Sequence, residues 1–411
     1  MIAISLSPNA QIDDVFLALK VLLTPWCWIK GSAIKSLEDW FRRYFQVQAA
    51  VSFDSGRSAL YAILKAAGIK PKDEVLTQAF TCVAVPNSIL WTEARPVFVD
   101  VDSSGNIDIN DLKKKITQRS RAIIVQHTFG VCADIEKIKT IASKHKLIVI
   151  EDCAHAFGAT LRGKKIGTFG DFAFFSFGRD KVVSSVSGGM AITNSKKAAK
   201  LLRNFQKNLQ LPSLAKIFTQ LFHPIAFSFI LPLYNVINIG KIMLIVFQKI
   251  GFLDKPVAKE EYQGERPSFL PSKLSSAQSL LALAQVRKLD VFNKKRREIA
   301  EFYTKRLSGL PIDLPQIDDG DIILRYNIQT NNASSIYSFF KEKGILLGRW
   351  YANIIDPQGV NLAKIGYTLG SCLKAEALAR SSLNLPTYPK MNMTDAEKIV
   401  EIMQEYFKQK N

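Results

Sequence analysis

Apolar and polar positions alternate with two periods along the first half of the chain. Short β-branched runs at 97–101, 122–125 and 147–150 have the composition of strands covered on both faces. Apolar segments at 49–53 and 74–76 read as further strands, while 55–67, 83–90 and 135–144 show helical spacing. This strand–helix rhythm over residues 50–200 predicts an α/β fold with a mostly parallel sheet flanked by helices. Ligands in such sheets bind beyond the carboxyl ends of the strands. From about residue 257 the pattern changes to a long helix over 276–307, a strand over 322–329, a helix over 334–343, a strand over 345–347 and a closing helix over 394–407. Thr394 is the expected N-cap of that last helix, with Glu397 at N3. The basic cluster 294–297 reads as the solvated face of the long helix.

Two stretches fall outside this rhythm. Residues 15–28 are apolar and broken by Pro25, which suits either core packing or a surface-lying helix. Residues 217–240 contain no Asp, Glu, Lys or Arg, and a second apolar segment follows at 242–252. The first approaches the roughly 20 residues that span a bilayer. Pro224, Pro232, Gly240, His223 and Asn235 interrupt it, which argues against one straight spanning helix. A pair of shallow helices at a membrane face fits better, with Lys216, Lys241, Lys249 and Lys255 as cationic flanks. The alternative is a hairpin that buries the same surface within the chain or against a second copy. The expected division is a lead-in and large domain at 1–212, an apolar insertion at 213–256 and a small C-terminal α/β domain at 257–411.

Composition narrows the classes. The 411 residues exceed one simple core, and the formal charge of +19 draws the chain to polyanions. No nucleic-acid module is visible, so phosphorylated metabolites or anionic lipid rank above nucleic acid. The five cysteines are scattered, without CxxC or Cys/His spacing, so free thiols in a reducing cytoplasm and no metal site are expected. The N-terminus lacks the basic start and apolar core of a signal peptide.

The candidate chemistry centres on residues 172–190, FAFFSFGRDKVVSSVSGGM. Lys181 sits between the aromatic run Phe172, Phe174, Phe175, Phe177 and a loop of small residues. An amine on a short turn between strands reaches a cofactor carbonyl, and a desolvated lysine is a usable nucleophile. We read Lys181 as holding pyridoxal 5'-phosphate (PLP) as a Schiff base, against the alternative of a solvated surface lysine. Asp54-Ser55-Gly56-Arg57-Ser58 joins a strand to a helix and offers backbone N–H groups to a phosphate, or forms an ordinary N-cap. Asp152 follows the strand 147–150 and faces the ligand crevice. There it pairs with the pyridine nitrogen and keeps it protonated, unless it only caps a helix. His155 lies against the ring or its O3′, or is structural.

SGRSAL, DEVLTQAFTCVAVPNSI, ARPVFVDVD, the block from QHTFG to EDCAHAFGA, and FGDFAFFSFGRDKVVSS together resemble the DegT-type family of PLP-dependent sugar aminotransferases. LSSAQSLLALAQVRKLDVF and LPTYPKMNMTDAEKIVEIM resemble its C-terminal half. The resemblance covers about residues 40–205 and 270–407. It implies fold type I, a homodimer with the active site at the subunit interface, glutamate as amino donor, and a keto-sugar on a nucleotide carrier as acceptor for surface glycans. By motif, Lys181 matches the Schiff-base lysine, Asp152 the nitrogen partner and His155 a polar cofactor contact. Gly56 and Arg57 match the phosphate turn, and Ser176 a phosphate-contacting serine. A related dehydratase branch carries histidine in place of the lysine, so Lys181 favours transamination.

Three departures stand out. Cys82 occupies the place of an aromatic residue that stacks on the cofactor, with Phe80, or His155 from the other face, expected to compensate. Val186-Ser187-Gly188-Gly189 replaces GEGG, and Pro271-Ser272-Lys273 replaces an Asn-x-Arg segment that reaches the neighbouring subunit. Arg349-Trp350-Tyr351 falls in a region bordering the substrate cleft. A PLP-dependent dehydratase, an aminotransferase of lipid-linked sugars and a non-catalytic membrane-bound scaffold remain as alternatives. The expected location is cytoplasmic, with peripheral or monotopic contact at the inner face of the plasma membrane.

Overall fold

The computed structural model describes residues 2–234 and 236–410; Met1, Asn235 and Asn411 lie outside them. The lead-in contains helix α1 (Ile12–Leu22). Both readings of 15–28 hold in part. Ala18, Val21 and Trp28 are buried, while Phe16, Leu19, Leu23 and Trp26 are exposed.

Seven strands form the central sheet: β1 (Ala49–Phe53), β2 (Glu74–Gln78), β3 (Arg95–Val99), β4 (Ser120–Gln126), β5 (Ile148–Asp152), β6 (Phe172–Ser176) and β7 (Gly189–Thr193). Their order is β1-β7-β6-β5-β4-β2-β3. Only β7 runs antiparallel to its neighbours. The aromatic run of β6 follows the two-residue period of a strand. Phe172 and Phe174 join the core on one face with Leu60, Ile63 and Leu64 of helix α2 (Gly56–Ala66). Phe175 and Phe177 point to the other face, against Phe41 at 5.4 and 5.7 Å between ring centroids. The turn carrying Lys181 therefore leaves a strand anchored on both sides.

The apolar stretch forms a helical hairpin, α3 (Leu214–Leu233) and α4 (Ile239–Lys249). The helix α3 continues through Pro224 and Pro232. It packs on α1 through Ile217 and Leu221, and on α4 through Phe222, Phe227 and Ile230. Gly240 is required at the crossing, because a Cβ there would lie 2.3 Å from the Ile230 carbonyl oxygen.

The long helix expected over 276–307 is two helices, α5 (Ser276–Val286) and α6 (Leu289–Leu307). The break lets each follow a different partner. The first packs on α1 and the helix Ala33–Phe45, the second on helix α7 (Met393–Lys408). Lys288 at the junction donates to Asp13 and Asp14 at 2.7 and 3.0 Å. In the small domain, β8 (Arg325–Gln329) and β9 (Ser382–Pro386) pair antiparallel over a core that includes Tyr303, Tyr326, Phe340 and Met403. Ile2–Ala3 pairs with Ile345–Leu346, so the first residues of the chain join this domain. The cap of α7 lies two residues earlier than expected. Asn392 accepts from the Asp395 N–H at 2.8 Å, and Asp395 accepts from the Asn392 N–H at 3.0 Å. This Asn–Asp box satisfies two orphan donors reciprocally and outcompetes the Thr394 pairing.

Candidate active site

Three strand ends, with β7 between β1 and β6, converge at the carboxyl edge of the sheet. The strand β5 ends on Asp152, β6 ends on Ser176, and β1 leads through Asp54 and Ser55 into α2. Lys181 lies in the loop from β6 to β7. That loop is closed on itself by Phe177 N–H to the Gly188 carbonyl at 2.8 Å and Ser185 N–H to the Phe177 carbonyl at 3.0 Å.

The Lys181 amine stands 2.9 Å from His155 Nε2. His155 is buried, and its Nδ1 accepts from the Phe129 N–H at 3.4 Å. Burial, with Lys181 and Arg325 nearby, pushes its pKa well below the usual histidine range, so the ring is neutral. The ring lies nearly parallel to Phe129, with centroids 5.7 Å apart and planes at 21°.

Asp152 is buried, and its Oδ1 accepts from the Ala154 N–H at 3.0 Å. Desolvation raises its carboxyl to about 6, against the pull of that N–H, Lys181 and His127. A protonated ring nitrogen is the partner such a carboxylate lacks. Ser176 meets Gly56 across the turn from β1 into α2. A Cβ on Gly56 would come 2.8 Å from the Ser176 Cβ, and one on Gly189 would come 2.4 Å from the Ser55 carbonyl oxygen. Only bare backbone fits this cradle, and the N-terminus of α2 opens into it. The Arg57 guanidinium turns away, to Glu261 and to the Pro256 carbonyl at 2.8 Å. This donor set fits PLP: an amine for its carbonyl, a carboxylate for its ring nitrogen, and a hydroxyl with a helix N-terminus for its phosphate.

Cys82 borders the same crevice from the short strand Thr81–Cys82, which pairs in parallel with Ile355–Asp356 and places Cys82 opposite Asp356. Burial raises its thiol pKa against the opposing charge of Lys181. The aromatic surface nearby comes from Phe80, Phe129 and Tyr351. Tyr351 is buried, with its ring 5.1 Å from Phe80, 5.6 Å from Phe129 and 6.4 Å from His155. Pro271-Ser272-Lys273 is tied to the turn between β1 and α2 of its own chain. The Asp54 N–H donates to the Ser272 carbonyl at 3.1 Å, and the Ser272 N–H donates to Asp54 Oδ1 at 3.2 Å. A cavity of about 540 Å³ opens beside it, lined by Asp54, Lys216, Phe269, Ser272, Lys273 and Gln278 among others.

Several supporting residues escaped the sequence reading. Arg296 belongs to the cluster read as solvated, yet it is fully buried. It donates to the Val182 carbonyl and to Asn9 Oδ1, both at 2.9 Å. Asn9 in turn donates to the Lys181 carbonyl. The helical spacing Leu289, Phe292, Arg296, Ile299, Tyr303 already put Arg296 on the inward stripe, and this was the available signal. Asp180 pairs with Arg325, whose guanidinium lies 3.8 Å over the Trp350 ring. Asp356 faces them, with its carboxyl raised to about 6 by desolvation. Asn9, Arg325 and Asp356 carried no local signal, since they arrive from three distant segments. His127, Glu151 and Cys153 also meet, buried, behind the sheet edge. The Glu151 carboxylate there accepts from the Gly167, Phe169 and Gly170 N–H groups, a structural use.

The chain matches the DegT/DnrJ/EryC1/StrS aminotransferase family over residues 12–228 and 237–404, and it belongs to that family. It is a PLP-dependent sugar aminotransferase. The match is wider than the resemblance read from the sequence. It takes in most of the apolar stretch and omits only 229–236 between its two segments. A pleiotropic regulatory protein of Geobacillus stearothermophilus is 30% identical, covering 93% of this chain and 91% of its own length. GDP-perosamine synthase of Vibrio cholerae is 26% identical over 93% of each chain. The solved structure of S. venezuelae DesV has a TM-score of 0.75 at 25% identity, covering 96% of this chain and 94% of that one.

Proposed function

We propose that the protein transfers an amino group from an amino acid, glutamate by family habit, to the keto group of a nucleotide-linked sugar for surface-glycan synthesis. It acts in the cytoplasm as a homodimer. Lys181 is the catalytic residue, and Asp152, His155, Ser176, Gly56, Arg57 and Cys82 line the cofactor site. The observation that carries this reading is the Lys181 amine held 2.9 Å from a buried neutral histidine, with the Asp152 carboxylate in the same crevice. The Vibrio cholerae relative, named for a GDP-linked amino sugar, supports the nucleotide carrier.

PLP, when bound, supplies an electrophilic carbonyl and an electron-withdrawing ring. The chain's own residues do the rest. Asp152 holds a proton at the ring nitrogen. His155 Nε2, 2.9 Å from the Lys181 amine, positions that amine in the crevice where a cofactor carbonyl would sit. Once released, Lys181 Nζ moves the substrate's proton as general base and then general acid. The Ser176 hydroxyl and the N-terminus of α2 anchor the phosphate end. Tyr351, Phe80 and Phe129 exclude water from the side where Cys82 leaves room.

The test is the absorption spectrum of the protein with PLP, before and after glutamate, followed by product mass with a GDP-linked keto-sugar. A visible-edge band that shifts on adding glutamate, and a sugar product carrying a new amine, are the expected results. A lipid-linked sugar aminated in its place would move the reading to the alternative acceptor. A dehydrated product would overturn transamination.

A further inference from the structure

We infer that the outer face of α4, with the turn before it, docks on an anionic phospholipid surface. This rests on the hairpin alone and not on the proposed reaction. The helix α4 turns Met243, Leu244 and Phe247 onto α3. Its remaining apolar side chains point outward: Ile239, Ile242, Ile245, Val246 and Ile250 recur at the spacing of one helical face, and all are exposed. Ile237 at the turn is 85% exposed and Ile242 56%. Contiguous apolar exposure of this kind marks an interaction site.

Charge selects the partner. From Leu214 to Leu253 the chain has no Asp or Glu and carries Lys216, Lys241 and Lys249. Asp254 is itself spent on Lys216 at 2.9 Å and on the Thr219 hydroxyl. Lys241, Lys249 and Lys255 flank the apolar face. A two-fold contact with a second copy would set this segment against itself, cation facing cation, with no carboxylate from the segment to answer. An anionic lipid headgroup answers each of them.

Dimensions select the mode. The 11 residues of α4 span about 16 Å, half of the ~30 Å hydrocarbon core. The longer α3 is long and apolar enough to cross, but 44% of its apolar window is buried inside the protein. The hairpin therefore lies in the plane of the interface, its apolar stripe in the headgroup boundary and its lysines among the phosphates.

Flotation of the full-length protein with vesicles tests this. One set is pure phosphatidylcholine and the other contains phosphatidylglycerol. The protein should float with the second set only, and salt should weaken it. The double variant Ile242→Glu, Ile245→Glu should lose vesicle binding by at least about tenfold. Its PLP spectrum and its oligomeric state by light scattering should match the wild type. Failure of the wild type to float with either set, equal binding to both sets, or undiminished binding by the variant would overturn the proposal. A variant that changes oligomeric state would assign the face to a second copy instead.

Discussion

The Lys181 crevice and the α3–α4 hairpin are built on opposite principles. In the crevice buried polar groups are tied to one another. Asn9 and Arg296 hold the Lys181 loop by its carbonyls, Asp180 holds Arg325, and His155 is fixed between the Phe129 N–H and the lysine. Burial makes each of these groups expensive to disturb. In the hairpin the outward residues are apolar and touch little of their own chain. Changing them should cost the fold almost nothing, and the proposed vesicle contact nearly everything. The first region rests on internal order, and the second leaves surface uncovered.

The largest expected break is Lys181→Ala. Amino transfer should fall by at least about a thousandfold and the covalent cofactor band should vanish, while far-UV circular dichroism stays unchanged. If transfer survives, the crevice is not the active site.

Next is Arg296→Met. It leaves Asn9 Oδ1 without a donor and the Val182 carbonyl with only the Asn9 amide at 3.3 Å, so the apo-protein should lose about 2–4 kcal/mol in denaturant unfolding. PLP should also bind more weakly, because the loop that carries Lys181 is loosened. An unchanged midpoint would mean Arg296 is a passive passenger on α6.

Asp152→Asn should act in the other direction. The Asp152 carboxyl is raised from its ordinary value to about 6. The native state therefore binds more protons than the unfolded chain between about pH 4 and 6, and stability falls as pH rises through that window. Above it the full penalty stands, about 3 kcal/mol by linkage. Asn removes the penalty, so the apo variant should melt higher than wild type at pH 7.5, with a smaller gap at pH 4, while amino transfer falls steeply. Equal melting at both pH values would show that the site does not strain the fold.

The smallest effect belongs to the hairpin. Ile245→Glu should shift apo stability by no more than about 0.5 kcal/mol, as exposed substitutions do, in contrast to its effect on vesicles. A larger loss would mean that α4 packs inward more than its exposure implies.

The chemistry of the crevice was legible in residues close along the chain. Lys181 between an aromatic strand and a small-residue loop, Asp152 at a strand end and Gly56 at a helix start each announce themselves within a few positions, because strand ends and helix caps are local devices. The parallel sheet was legible too, since two periods of hydrophobicity encode it. Helix ends were less so: the Asn392–Asp395 box and the break at Lys288 depend on which of several plausible partners lies nearest.

What only the tertiary structure decided is which distant groups share the site and what they feel there. Arg296 looked solvated because its charge run outweighed the helical spacing that sets it on the inward stripe of α6, and only packing showed which signal wins. Asn9, Arg325 and Asp356 reach the Lys181 crevice from separate segments, and no spacing in a linear chain records that distance. The direction of each pKa shift depends on burial, which belongs to the fold. The sequence by itself determined the types of residue and their local frames; desolvation and long-range contact, which exist only after folding, decided how those residues act on one another.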